Sequence, residues 1–194
     1  MSKAIKIIRN EHSGMVAIYR TLTAMLQDIE QGKEKADFVL FHAMLEYLKS
    51  FMYQFHHPKE NDYLFPAIAK RSPQAAELVE RLEAQHKQGA VLLKELDQAL
   101  ARYENEGDDA YPLFKDAFER YHDFEWRHMS MEENEIIPLA REMLSKEDWE
   151  AIDRVFTDHD DPLFGDERRD EFRHLYNRIA EATPAPYGLR DSDN

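Results

Sequence analysis

Apolar residues recur along most of this chain at alternating steps of three and four. Ile5, Ile8, His12, Met15, Tyr19, Leu22, Leu26 and Ile29 keep that rhythm through the first stretch, which is the spacing of one buried helical stripe. Gly32 suits the position just past its end. A second stretch, from about residue 36 to 69, carries Phe41, Leu45, Leu48, Met52, Phe55, Tyr63 and Ala67 on its inner side. Ser72-Pro73 then has the form of an N-cap followed by a first-turn proline. It opens a third helix whose stripe is Leu78, Leu82, His86, Gly89, Leu93, Leu96, Leu100 and Tyr103 and which ends near Glu106-Gly107. Tyr111-Pro112 opens a fourth, with Phe114, Phe118, Tyr121, Glu125, His128, Glu132, Ile136, Leu139 and Met143 in the same rhythm.

The segment SKED, residues 145–148, starts a short fifth helix with a serine cap, and a sixth is predicted over roughly 166–181. Four long amphipathic helices joined by short connections predict an all-α fold, because each stripe is buried most simply against a common axis. The expectation is an up-down-up-down four-helix bundle over residues 1–144. The two extra C-terminal helices of residues 145–182 pack on it, and a loose tail follows at 183–194.

Composition narrows the chemistry. A net charge of −14 repels nucleic acid and anionic membranes, so neither is an expected partner. There is no Cys, which excludes disulfides, iron–sulfur clusters, thiolate zinc sites and cysteine nucleophiles. Any metal must be held by nitrogen and oxygen. No long apolar run or cleavable leader pattern occurs, so the expected location is the cytoplasm.

The stripes contain polar residues that a plain core would not, and they repeat. HHPKENDYLFP, residues 56–66, and HMSMEENEIIP, residues 128–138, both place His first, Glu fifth and Pro eleventh. EHSGMVAIYRTL, residues 11–22, overlays QHKQGAVLLKEL, residues 85–96, and matches His12 with His86. The chain therefore has the form of a duplicated helical hairpin. Two residues on adjacent antiparallel helices lie at one level when the turn falls midway between them. The midpoints of His12 and His56, of His56 and His86, and of His86 and His128 are 34, 71 and 107, all at predicted turns. Each of the four helices thus carries one stripe histidine at a common depth.

His56 with Glu60, and His128 with Glu132, are four apart and share a face, about 6 Å apart along the axis. Burying two carboxylates uncompensated costs several kcal/mol each, so they need cations or donors. A pair of divalent metals about 3.5 to 4 Å apart, sharing carboxylates and capped by imidazoles, supplies that compensation. The ligand set is then His12, His56, Glu60, His86, His128 and Glu132. Imidazole and carboxylate on facing helices suit two iron ions ahead of manganese or zinc. The plain alternative is a set of hydrogen-bonded core polar residues.

At these residues the sequence resembles the hemerythrin-like HHE cation-binding domains, over roughly residues 5–144. The resemblance implies a four-helix bundle enclosing a non-heme di-iron centre with the two glutamates as bridges. In the oxygen-carrying hemerythrins the third helix supplies two His one turn apart, whereas here Leu82 and Ala90 flank His86 at that spacing. The balance of four His and two Glu looks more like the iron-centre repair proteins and the eukaryotic iron-sensing domain, although the Cys-bearing segment of the repair family is absent. The expected ligand of an open iron position is dioxygen, nitric oxide or peroxide. An iron store, a sensor, or a structural metal-binding interaction protein without redox turnover is the alternative. No catalytic residue is assigned, and a homodimer stays open.

Among the other polar residues, His57 lies about 100° round the helix from His56 and is expected to be exposed or an outer partner rather than a ligand. Glu125, one turn before His128, is expected either to orient a ligand imidazole or to form a flank salt bridge. Pro58, between His56 and Glu60, is expected either to distort the helix locally near the metals or to be a tolerated surface irregularity. His122 is expected at the surface or as an outer partner, and His42 lies about 21 Å along the helix from His56, so neither is an expected ligand; His159 and His174 are expected at the surface, with His159 a candidate lid.

Overall fold

The computed structural model describes residues 2–157, Asn177 and Ile179. The described residues form helices and no strands. The long helices are α1 (Lys3–Glu30), α2 (residues 38–69), α3 (Pro73–Glu106) and α4 (residues 111–143), followed by the short α5 (Lys146–Thr157). Their starts are fixed by the caps that the sequence offers. Ser2, Asp37 and Ser72 accept from the backbone N–H groups of Ile5, Leu40 and Ala75. Ser145 and Asp148 cap each other's backbone at 3.2 and 2.8 Å, a reciprocal box at the mouth of α5. The chain leaves α1 and α3 through Gly32 and Gly107, whose φ angles of 66° and 79° only glycine adopts freely.

Each long helix touches its neighbours in the chain, and α1 closes onto α4. The core has two apolar clusters. One gathers Met15, Leu22, Phe41, Leu48, Leu96, Phe114 and Tyr121, and the other gathers Ile5, Ile8, Leu64, Phe65, Leu82, Ile136 and Ile137. Successive helices meet these clusters in opposite order. The polar stripe residues fall between them: His12 separates Ile8 from Met15 and His86 separates Leu82 from Leu93. The core is therefore two apolar layers with a polar layer between.

Two of the long helices are not uniform. Turns of π-helix occupy Met52–His56, Glu60–Leu64 and Glu132–Ile136. Each is followed, two residues past its end, by a proline: Pro58, Pro66 and Pro138. A proline inside an α-helix lacks the N–H for the carbonyl four back and its ring collides with that carbonyl. Widening the turn by one residue moves the ring clear, and the residue before the proline donates five back instead: His57 to Met52, Phe65 to Glu60, Ile137 to Glu132. The expected distortion at Pro58 is thus a widened turn, and the same device recurs at the last proline of both repeats.

α5 lies against α1 and against the Glu60–Leu64 turn, burying Ile152 and Phe156 in the second cluster. Asp153 accepts from the Ser2 hydroxyl and the Ala4 backbone N–H, and Arg71 pairs with Asp148. Ile179 is buried in the first cluster. Apart from Asn177 and Ile179, which are helical, the predicted sixth helix, the tail, His159 and His174 lie outside the described residues. No helix among the described residues is long and apolar enough to cross a membrane.

Candidate metal centre

The polar layer brings all six predicted ligands together, each 5 % exposed or less. Glu132 Oε2 stands 3.0 Å from His12 Nε2, and its Oε1 lies 3.3 Å from His128 Nε2 and 3.7 Å from His86 Nε2. Glu60 Oε2 stands 3.6 Å from the Nε2 atoms of both His56 and His86. Each carboxylate therefore reaches imidazoles on two sides. One ligand atom from each of His12, His56, Glu60 and Glu132 falls within 4.8 Å of the others.

Each of the four predicted imidazole ligands turns Nε2 inward and has Nδ1 held from behind. His56 Nδ1 is 2.8 Å from Glu11, His86 Nδ1 2.9 Å from Asn61, His128 Nδ1 3.0 Å from Gln85 and His12 Nδ1 3.3 Å from Glu133. Each partner sits next to a ligand of its own helix but holds the histidine of the next helix. The holds run α1 to α2, α2 to α3, α3 to α4 and α4 back to α1. The duplication extends to them, since Glu11 overlays Gln85 and Asn61 overlays Glu133. Such partners fix ring orientation and tautomer, which is how metal-binding histidines are commonly held.

Inside this ring His86 Nε2 and His128 Nε2 lie 3.1 Å apart, but other polar atoms lack partners. His12 Nε2, Glu60 Oε2 and both Glu132 oxygens make no properly aligned hydrogen bond among the described residues, although all are buried. Such groups cost on the order of 1 to 3 kcal/mol each unless something satisfies them. The donors are imidazole nitrogens and carboxylate oxygens facing one small space, a set that fits first-row divalent metals.

The electrostatics express the same conflict. Burial raises Glu60 well above the usual carboxylate range, and Glu132 beside it adds to the rise. Burial also opposes charge on Glu132, but His128 and the contacts to His12 and His86 outweigh it and hold that carboxyl well below its usual value. For His12 burial opposes protonation, yet Glu132 and Glu133 prevail and raise it to about 9. Burial lowers His128 to about 4 and also lowers His56. Without metal, protons take part of the role of the cation.

Two expectations are corrected. His57 is not exposed: it is 3 % accessible, stacks on His86 with ring centroids 3.7 Å apart, and neither ring nitrogen has a hydrogen-bond partner. Burial and the neighbouring histidines push its pKa well below the usual value, so the ring is neutral. The inner face is wider than one stripe, and the repeat contained the signal, because position 57 overlays the buried Met129. Glu125 neither holds a ligand imidazole nor joins a flank ion pair. It is 1 % exposed, with one oxygen unpartnered, and faces Gly89, where an added Cβ would meet Glu125 Oε1 at 2.4 Å and the Tyr53 hydroxyl at 3.1 Å. Burial raises it to about 8, with Glu132 contributing.

His42 pairs with Glu104 at 2.9 Å and His122 lies 3.5 Å from Asp123, both away from the centre. Lys59 is an unexpected buried cation, 2 % exposed; its ammonium pairs with Glu11 and stands 4.0 Å over the Phe55 ring and 5.3 Å from that of Phe156.

A family model, the hemerythrin HHE cation-binding domain, matches residues 3–140. That span covers α1 to α3, α4 up to residue 140 and every residue of the polar layer, and the chain belongs to this family. The family is a class of metal-binding domains, and the helical described residues with their His/Glu clusters fit that class. Neither the curated proteins nor the solved structures yield a match.

Proposed function

We propose that this protein holds two iron ions between the helices of an up-down-up-down bundle, with His12, His56, Glu60, His86, His128 and Glu132 as ligands, and that it serves a reaction with dioxygen, nitric oxide or peroxide in the cytoplasm. The observation that carries the reading is the closed ring of Nδ1 holds, which aims four Nε2 atoms at two carboxylates whose inner oxygens have no partner. The reversal of cluster order from helix to helix supports the alternating topology.

Bound iron would supply redox change and a position for a small ligand. The chain supplies the rest. His12 and His56 face one end of the carboxylate pair and His86 and His128 the other, so Glu60 and Glu132 lie where they reach both. The apolar layers on either side keep bulk water from the centre. Beside it, Glu125 holds a proton near neutral pH, facing Tyr53 and Gly89. A cleft of about 430 Å³ between α2 and α3, lined by Tyr53, His57, Asn61 and His86, gives a small molecule an approach from solvent.

A sensing reading has one observation in its favour, the contact of Lys59 with both Glu11 and α5. Metal analysis of freshly purified protein, with absorption spectra before and after reduction and re-exposure to oxygen, separates the two. Two irons per chain with bands that bleach on reduction and return with oxygen support the redox reading. Bound metal that is inert to oxygen and peroxide supports the sensor. His56→Ala and Glu132→Ala should each lower the iron content, and full occupancy in both would overturn the ligand assignment.

A further inference from the structure

His57 is the one buried imidazole in the polar layer whose two nitrogens are both without a partner. A ligand atom of His57 lies within 4.8 Å of one from His86 and of one from His128, forming a three-imidazole group separate from the four-residue group on the other side. We infer that His57 is a third imidazole ligand of the metal position bounded by His86 and His128. This rests on the two-metal reading above and adds a ligand that the six-residue set lacks.

The environment explains why that side takes an extra donor. On the other side, His12 and His56 are backed by the carboxylates Glu133 and Glu11, which strengthen an imidazole as an electron donor. Here His86 and His128 are backed by the neutral amides of Asn61 and Gln85. A third imidazole offsets their weaker donation. The Met52–His56 turn, which the second repeat lacks, precedes His57 directly. The stack on His86 keeps the His57 ring beside that of its neighbour, with a ligand atom of each of His57, His86 and His128 within 4.8 Å of the others. The two metal positions are therefore unequal.

The test is anaerobic titration of the full-length, metal-free protein with ferrous iron, comparing wild type with His57→Phe and His57→Glu. Phenylalanine keeps a ring stacked on His86 but has no donor, whereas glutamate restores one. Expected are two equivalents for wild type. In His57→Phe the first equivalent is kept and the second is weakened at least about tenfold, the lower bound for loss even of an outer partner. His57→Glu recovers the second. Five rather than four paramagnetically shifted imidazole signals in the cobalt-loaded, histidine-labelled wild type are expected independently, and they decide the matter if His57→Phe does not fold. Two equivalents bound with wild-type affinity by a folded His57→Phe, or four shifted imidazoles, would overturn the inference and leave the two-metal reading standing. Failure of the wild type to take up two equivalents would overturn both.

Discussion

At the scale of single residues, the protonation of the metal-free centre makes a prediction with a definite sign. His12 has a native pKa of about 9 against an ordinary 6.5, so its stabilisation is complete below about pH 6.5 and is lost as pH rises through 9. Glu125, at about 8 against 4.5, acts in the same direction: its contribution is complete below about pH 4.5 and lost as pH climbs through 8. Thermal unfolding of chelated protein should therefore show stability falling by a few kcal/mol from about pH 6.5 to 9, above the range in which the lowered His56, His57 and His128 act in the opposite direction, since each pKa unit is worth about 1.4 kcal/mol. Glu125→Gln has no proton to lose and should flatten the lower half of that fall; identical slopes for the two proteins would remove the buried neutral carboxyl. That these six polar residues meet in one layer was legible because each breaks an apolar stripe and because the duplication sets them at one level. Their holds were not, since Glu11, Asn61, Gln85 and Glu133 each stand beside a ligand of one helix and act on that of the next, a relation that only packing creates.

At the scale of elements, the extents of α1 and α3 follow from periodicity and caps, but the widened turns of α2 and α4 do not. One extra residue in a turn leaves the apolar rhythm nearly unchanged, and a lone proline signals distortion without specifying its kind. With the structure in hand, the eleventh place of the repeat acquires a meaning. Pro66 and Pro138 hold open the turns that begin at Glu60 and Glu132, so the motif encodes both a carboxylate and the turn that aims it. Pro138→Ala regains an N–H that can bond the carbonyl of Asn134 in ordinary α geometry. The metal-free variant should gain about 1 kcal/mol, the worth of one backbone hydrogen bond, in denaturant unfolding. Its metal affinity should fall as Glu132 rotates from the centre; an unchanged affinity would show that the widened turn does not aim it.

At the scale of the whole molecule, the helical architecture was readable from the sequence, while the way α5 attaches was not, because it depends on a lysine whose burial no local pattern announces. Lys59 stacks between Phe55 and Phe156 and ion-pairs with Glu11, which in turn holds His56. Phe156→Ala removes one side of this chain along with a buried ring. It should cost about 3 kcal/mol or more of stability, as large-to-small changes of a core aromatic do. It should also loosen metal retention on the His12 and His56 side, measured as the rate of iron loss to a chelator; a stability loss with unchanged iron release would mean the path is only structural. Such a path works in both directions. If iron tightens the seating of α5 by some factor, then anything that holds α5 in place tightens iron by the same factor. On the two-iron reading, a partner that pried α5 away would act as a lever for releasing the metal, so that this helix becomes a place from which the metal affinity of the interior can be set.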